Sequence, residues 1–407
     1  VIIIDRIKLQ PNKIIMVKPN YPLHVLFLII IFFTVQQLTA QEEEKLEKIS
    51  DDVIESIYKD EPATVSNDSL DTKKRSSLNA YPYVFYTPES KFAVGAGGIF
   101  IFYTGKDKEL RPSKIGFGGY YSTNKQYKLS LNPNFYFFEN KLYIEVPTSY
   151  GYFINKYWGV GDETPEYDSA GYAINSFTST LTAQVPPVLF AADRTGIILD
   201  YDYTTIDDKM GNEFLMNDSL PGSNGGKLFG FGTDLLWDSR DNIFFPNKGG
   251  YQYFKIVIYP GGTSDYVYSM LELDVRAYRS FAPDHVFAFN FYIQSAIGET
   301  PFYKMPSLGG PKRMRGYFFG RYRNNFYGML QVEYRQYFWK RLGFVAFGGL
   351  GNVSENILDY SFNNLKYSYG AGLRFMFNKK QKVNLRMDIG FGNDGNRGIY
   401  FGIQEAF

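Results

Sequence analysis

From Tyr81 to the last residue the chain alternates apolar and polar side chains with a period of two. Extended strands are the structure that gives such a sequence two distinct faces. In Tyr367–Phe377 one face carries Tyr367, Tyr369, Ala371, Leu373, Phe375 and Phe377, and the other Ser368, Gly370, Gly372, Arg374 and Met376. Val383–Gly392 repeats the pattern, with Leu385, Met387 and Ile389 opposite Arg386, Asp388 and Gly390. In Leu271–Tyr278, Leu271, Leu273, Val275 and Ala277 oppose Glu272, Asp274, Arg276 and Tyr278. A membrane barrel with lipid outside and a wet lumen explains this alternation, and so does a soluble sandwich whose apolar face turns inward.

Strand count and connections separate the two. Sixteen strands are expected, eleven before a Gly-rich segment, Leu308–Asn325, and five after it; they include 81–87, 141–153, 167–185, 189–206 and 398–407. The long connections, 154–166, 207–227, 300–325 and 354–366, all fall on one side, and most connections on the other are tight. Short periplasmic turns and long extracellular loops are the asymmetry of a bacterial outer-membrane barrel, which also needs an even strand number. The fold expected for 81–407 is therefore an all-β, transmembrane antiparallel β-barrel. The 35 Tyr, 37 Phe and 39 Gly fit it, since aromatic residues form interfacial girdles and glycines suit barrel strands.

The only continuous apolar run, Val25–Phe33, is too short to span a bilayer as a helix. Lys13 and Lys18 before it and Leu38-Thr39-Ala40 after it give residues 1–40 the form of a signal peptide cleaved after Ala40, with Met16 an alternative start. Residues 41–80 read as a polar periplasmic tail. Leu46, Ile49, Val53, Ile54 and Ile57 leave room in it for one short amphipathic helix, either a frayed end or a docking element.

Three motifs lie in order within the last part of the chain. Met314-Arg315-Gly316-Tyr317 sits in the Gly-rich segment. Asp238-Ser239-Arg240-Asp241-Asn242-Ile243-Phe244-Phe245-Pro246-Asn247-Lys248-Gly249 joins two expected strands, and Gly370–Arg374 is followed by Leu385–Gly390. Together they resemble the BamA and TamA superfamily of outer-membrane barrels, the bacterial surface antigen family. The first is similar to the arginine-glycine-aromatic tip of a long extracellular loop folded into the lumen. The second resembles the family's Asp-x-Arg-Asp-x-x-Phe-Pro-x-x-Gly turn with one residue inserted, which places Asp238, Arg240, Asp241, Phe245, Pro246 and Gly249 at its fixed positions.

The resemblance implies a lumenal latch in which Arg315 reaches Asp388, assisted by Glu333, with Gly316 providing the turn and Tyr317 packing on the inner wall. Parity agrees, because Asp388 lies on the polar face and Glu333 shares one with Gln331 and Arg335. The alternative for this segment is a solvated basic loop, with five cations between Lys312 and Arg323. A terminal Phe407 with Gly402 five residues earlier resembles the strand signal read by barrel-assembly machinery; Glu405 departs from that pattern and is expected on the lipid-facing parity. Residues 41–80 are too few and too polar for a POTRA module, so a member lacking these domains is expected.

Net charge is +1, which gives no electrostatic reason to expect a nucleic-acid partner. The absence of Cys excludes disulfides, thiolate metal sites and Cys nucleophiles. His285, the one histidine outside the leader, falls at a strand start on the lipid-facing parity, where an interfacial role outweighs a catalytic one. No cofactor or metal is expected, and no enzyme. By resemblance the barrel assists insertion or export of outer-membrane proteins or lipids at the seam between first and last strands, in contact with outer-membrane lipid, unfolded barrel clients and a periplasmic or outer-membrane protein partner. The alternative is a passive channel or structural surface barrel.

Overall fold

Nearly every long alternating segment forms a strand, and consecutive strands pair antiparallel. The computed structural model describes residues 76–407 apart from 88–89, 106–110, 167–169, 187–191, 217–218 and 379–381. The expected signal peptide and most of the polar tail lie outside the described residues.

The main sheet comprises β1 (Ser77–Thr87), β2 (Lys91–Phe102), β3 (Ser113–Ser122), β4 (Tyr127–Phe137), β5 (Leu142–Glu145), β6 (Thr148–Lys156), β7 (Gly171–Val185), β8 (Arg194–Asp208), β9 (Gly226–Asp238), β10 (Lys248–Tyr259), β11 (Tyr268–Ala282) and β12 (His285–Gly298). It continues through β15 (Phe326–Trp339), β16 (Leu342–Ser354), β17 (Lys366–Asn378), β18 (Val383–Gly392) and β19 (Arg397–Ile403). Between β12 and β15, β13 (Ser307–Leu308) and β14 (Tyr322–Arg323) form a separate two-stranded ribbon. Pairing runs from β1–β2 through to β18–β19. β1 and β19 then come into contact and close the circuit, yet no ladder register joins them among the described residues. This junction is the seam.

The sheet is divided into seventeen strand segments where sixteen strands were expected, two of the segments sharing one position around the wall. The difference arises in 141–153, where β5 and β6 both pair with β4 and with β7 but are separated by Val146-Pro147. Pro147 has no N–H to donate, so the ladder is interrupted there. Neighbouring strands still satisfy what remains: Val146 N donates to Pro133 O and Thr180 N to Pro147 O. The first strand begins at Ser77, four residues into the segment assigned to the tail, because Ser77–Ala80 pair with Gly98–Ile101. Strands expected over 167–185 and 189–206 occupy Gly171–Val185 and Arg194–Asp208.

The apolar rows face outward. Leu330, Leu373 and Leu385 are 54%, 61% and 45% exposed, while their neighbours Gln331, Arg374 and Arg386 are buried on the inner face. A soluble sandwich would bury the leucines, so these exposures decide for a barrel in lipid. One rim carries 157–170, 209–225, 299–325 and 355–365; the opposite rim carries the tighter turns 138–141, 283–284 and 340–341.

Candidate functional site

The connection 299–325 departs from the long-loop rim and lies against the inner faces of β15 to β19. Its tip is seated in a trough made by sequence. Across the register, Glu333 faces Phe347, Phe347 faces Gly370, Gly370 faces Gly390 and Gly390 faces Gly398. Three adjacent strands thus present glycine at one level of the wall. A Cβ on Gly390 would stand 2.6 Å from the Arg315 carbonyl carbon, so the loop backbone occupies the space a side chain would fill. Gly316 has φ +118°, a left-handed conformation that glycine adopts without strain, and a Cβ there would meet the backbone of Phe391 at 2.6 Å.

Arg315 is 1% exposed, Glu333 and Asp388 0%. Its Nη1 donates to Asp388 Oδ2 at 2.6 Å, its Nη2 donates to Glu333 Oε1, and its guanidinium carbon lies 3.5 Å from the centre of the Phe347 ring. The carboxylates are shared. Arg374 Nη1 donates to Asp388 Oδ1 at 2.6 Å, Arg386 Nη1 to Asp388 Oδ2 at 3.1 Å, and Arg335 Nε to Glu333 Oε2 at 2.8 Å. Buried charges persist only where each is paired and hydrogen-bonded, and here arginines with forked donors surround each carboxylate. Ser368 Oγ donates to the Arg315 carbonyl. Gly316 N donates to Tyr400 Oη at 3.0 Å, and Tyr400 Oη donates to the Tyr317 carbonyl at 3.0 Å. Tyr317, wholly buried, donates from Oη to Tyr367 O at 2.8 Å and accepts from Asn393 N at 2.7 Å. The tip thereby touches every strand from β15 to β19.

The rest of the loop is also anchored. Arg313 Nη2 donates to Asp274 Oδ2 at 3.0 Å, Arg321 Nε to Glu166 Oε1 at 3.0 Å, and Arg323 Nη1 to Phe302 O at 3.0 Å. Arg321 and Arg323 are 3% and 4% exposed, which overturns the solvated-loop alternative.

The turn motif 238–249 lies at the short-turn rim. Arg240 grips Asp238 through Nε at 2.7 Å and Nη2 at 2.6 Å and stacks over Tyr251. Asp241 Oδ1 accepts the backbone N–H of Asn247 at 2.8 Å and of Lys248 at 3.2 Å. Burial pushes this carboxyl up, but those amide bonds outweigh it and hold it below its ordinary value. Asn242 Oδ1 accepts from Phe244 N and Phe245 N, each at 2.8 Å, and Gly249 has φ +97°. Phe245 and Pro246 are buried, with the Phe245 ring 5.2 Å from that of Tyr337.

The chain's last residues were expected to continue outward-inward alternation, with Glu405 facing lipid. The structure corrects this. Gln404 has φ +70°, its N donates to Asn384 O at 2.7 Å, and the chain beyond it turns into the lumen. Glu405 Oε2 accepts from Arg374 Nε at 2.7 Å and Oε1 from Asn384 Nδ2 at 2.7 Å. Phe407 packs with Tyr278, Ala288 and Ala406, its carbonyl accepting from Arg335 Nη2 at 2.9 Å. Gly402 faces inward, where a Cβ would come within 3.0 Å of Arg386 Nε. His285 stays at the outer face of the short-turn rim, its Nδ1 2.7 Å from Tyr334 Oη and its ring 5.5 Å from Phe281.

Arg315, Gly316, Tyr317, Glu333 and Asp388 are therefore brought together, and the turn residues form a second cluster. Arg335 links the two clusters, with its guanidinium carbon 5.9 Å from the Phe245 ring and 5.2 Å from that of Phe407. Sequence reasoning missed Arg335, Tyr400, Ser368 and Glu405 as partners. Tyr400 had a visible signal: it is the one bulky residue on an inward row otherwise occupied by Gly398 and Gly402.

Apolar outward rows, a polar inner wall and a long-rim loop clamped onto that wall define an outer-membrane β-barrel whose lumen is braced from within. The chain belongs to the Omp85 superfamily, whose domain model matches residues 111–407. No curated protein sequence matches it. Among solved structures it is similar to BamA from Haemophilus ducreyi lacking POTRA domains 1-3, with TM-score 0.57 and 16% identity over 81% of this chain and 70% of that one. It is also similar to CdiB from Acinetobacter baumannii, with TM-score 0.53 and 12% identity over 83% of this chain and 60% of that one. At such identities the likeness concerns the fold.

Proposed function

We propose that this barrel works at the β1–β19 seam, assisting insertion or export of outer-membrane proteins or lipids together with a protein partner, and that it is not an enzyme. The observation that carries the reading is the junction itself: two strands side by side with no ladder register between them among the described residues, an edge-to-edge arrangement of the kind an incoming strand can pair with. The latch adds an asymmetry. It ties β15 through β19 to one loop, whereas among the described residues its hydrogen bonds do not reach β1, so one bank of the seam is braced by the loop and the other is held only by its ladder to β2.

A passive channel has against it the loop packed on the lumenal wall. Membership of the Omp85 superfamily and the BamA-like and CdiB-like fold support the assembly and secretion class. Client and partner are read no further than unfolded barrel chains or lipids and a periplasmic or outer-membrane protein.

The chain contains no Cys, so paired substitutions can lock the seam cleanly. Cysteines placed in Ser77–Thr87 and in Arg397–Ile403 are crosslinked in living cells, and the outer-membrane protein and lipid profile is compared with that of the single-Cys controls. The expected outcome is loss of function with the barrel still folded. A locked barrel that works normally would replace this reading with a channel or scaffold.

A further inference from the structure

The loop 355–365 leaves the rim between β16 and β17 and folds back over the outside of the wall. Phe326 and Gly328 occupy outward positions of β15, in register with Leu330, yet Phe326 is only 4% exposed. What covers it is Tyr360, whose ring meets Phe326 edge-on at 5.6 Å and whose Oη donates to Gly328 O at 2.9 Å. Gly328 makes this approach fit, since a Cβ there would already lie 3.3 Å from Tyr360 Cε2. Between the loop and the wall runs a groove of about 540 Å³, floored by Phe291, Leu330 and Leu350 and walled by Ile357, Tyr360 and Phe362.

The loop is not free to turn its apolar side elsewhere. Asn356 Oδ1 accepts from Leu358 N at 2.9 Å, Ser354 Oγ donates to Asn356 O at 2.7 Å, and Asn364 Nδ2 donates to Asp162 Oδ2 at 3.1 Å. These polar ties lie toward the rim and the neighbouring loop. Ile357, Leu358 and Phe362 are left 62%, 92% and 77% exposed on the other side. In water such a cluster on a surface loop is unfavourable; beside the apolar wall, on the rim of long extracellular loops, it stands in the outer leaflet. The groove is continuous with the outward rows already in contact with hydrocarbon, and that continuity selects its occupant over a soluble partner.

We propose that the groove between loop 355–365 and the outer faces of β12, β15 and β16 is a lipid site that holds one acyl chain of an outer-leaflet lipid. The site lies apart from the seam and does not depend on the function proposed there.

The test uses the full chain reconstituted in phosphatidylcholine nanodiscs, released into detergent and weighed by native mass spectrometry. A monomer retaining one phosphatidylcholine is expected, with retention reduced about tenfold by Tyr360→Ala, which removes the roof of the groove without altering a strand. Gly328→Leu, which fills it, should match Tyr360→Ala. Equal retention by the native protein and Tyr360→Ala, no retention at all, or a dimer that releases lipid only on dissociation would overturn the proposal. A second measurement stands if Gly328→Leu fails to fold. A bimane on Phe362→Cys is quenched by phosphatidylcholine carrying a nitroxide near the end of its chain and spared by iodide if the loop lies in lipid. The reverse pattern places it in water and rejects the site.

Discussion

Arg315 is the residue on which the loop's position most depends. Removing it leaves Glu333 and Asp388 buried with one guanidinium fewer each, and breaking a buried pair from one side costs about 3–5 kcal/mol. Arg315→Ala is therefore expected to lower the melting temperature of the barrel and to open 299–325 to protease, as read by thermal unfolding in detergent and limited digestion. Arg315→Lys should fall between, because an ammonium cannot span two carboxylates with a planar fork. Gly390→Val should imitate Arg315→Ala in the digestion assay, through displacement of the backbone it would strike rather than through charge. The pairing of Arg315 with Asp388 and Glu333 was legible through the family resemblance, and strand parity agreed with it by turning both carboxylates inward. The arginines that share those carboxylates were legible only as lumen lining. Which of them meets which acid depends on barrel curvature and on tilt between strands, and neither is encoded in a period of two.

At the scale of elements, the alternation located most strands, and the misses have local causes. Pro147 divides one strand, and Gln404 inverts the parity of the residues after it by taking a left-handed backbone that non-glycine residues seldom adopt. No sequence period announces such a reversal; it is imposed by the lumenal partners Arg374 and Arg335 that it serves. Gln404→Gly should hold or raise stability, whereas Gln404→Val should lower it by about 1–2 kcal/mol, both measurable as shifts in thermal unfolding. The turn 239–247 carries its own pH dependence. The Asp241 carboxyl is held below its ordinary value, so its contribution is complete above the ordinary carboxylate range and is lost as pH falls through the depressed value. Protection of the Asn247 and Lys248 amides against hydrogen exchange, relative to the unfolded rate at the same pH, should thus be high at neutral pH and fall once pH drops below the ordinary carboxylate range, while Asp241→Asn should show the lowered protection throughout.

For the molecule as a whole, the latch, the turn and the chain's end form one connected body on the inner wall, joined by Arg335 and facing a seam across which no ladder register runs among the described residues. Planar-bilayer recordings are expected to be quiet for the native protein and to show intermittent conductance for Arg315→Ala, since unseating the loop unblocks the lumen. Steady conductance from the native protein would argue for the channel alternative instead. The fold class was readable from the sequence because every strand repeats the same constraint; the seam was readable only as a place, since whether two edges pair depends on geometry accumulated around the entire circuit. The inward turn after Gln404 has a temporal meaning as well. In the finished barrel Phe407 is enclosed behind Tyr278 and held by Arg335. A side chain that is reachable on an unfolded chain is thus withdrawn as the wall closes, and a reagent aimed at it would tell unfinished barrels from finished ones.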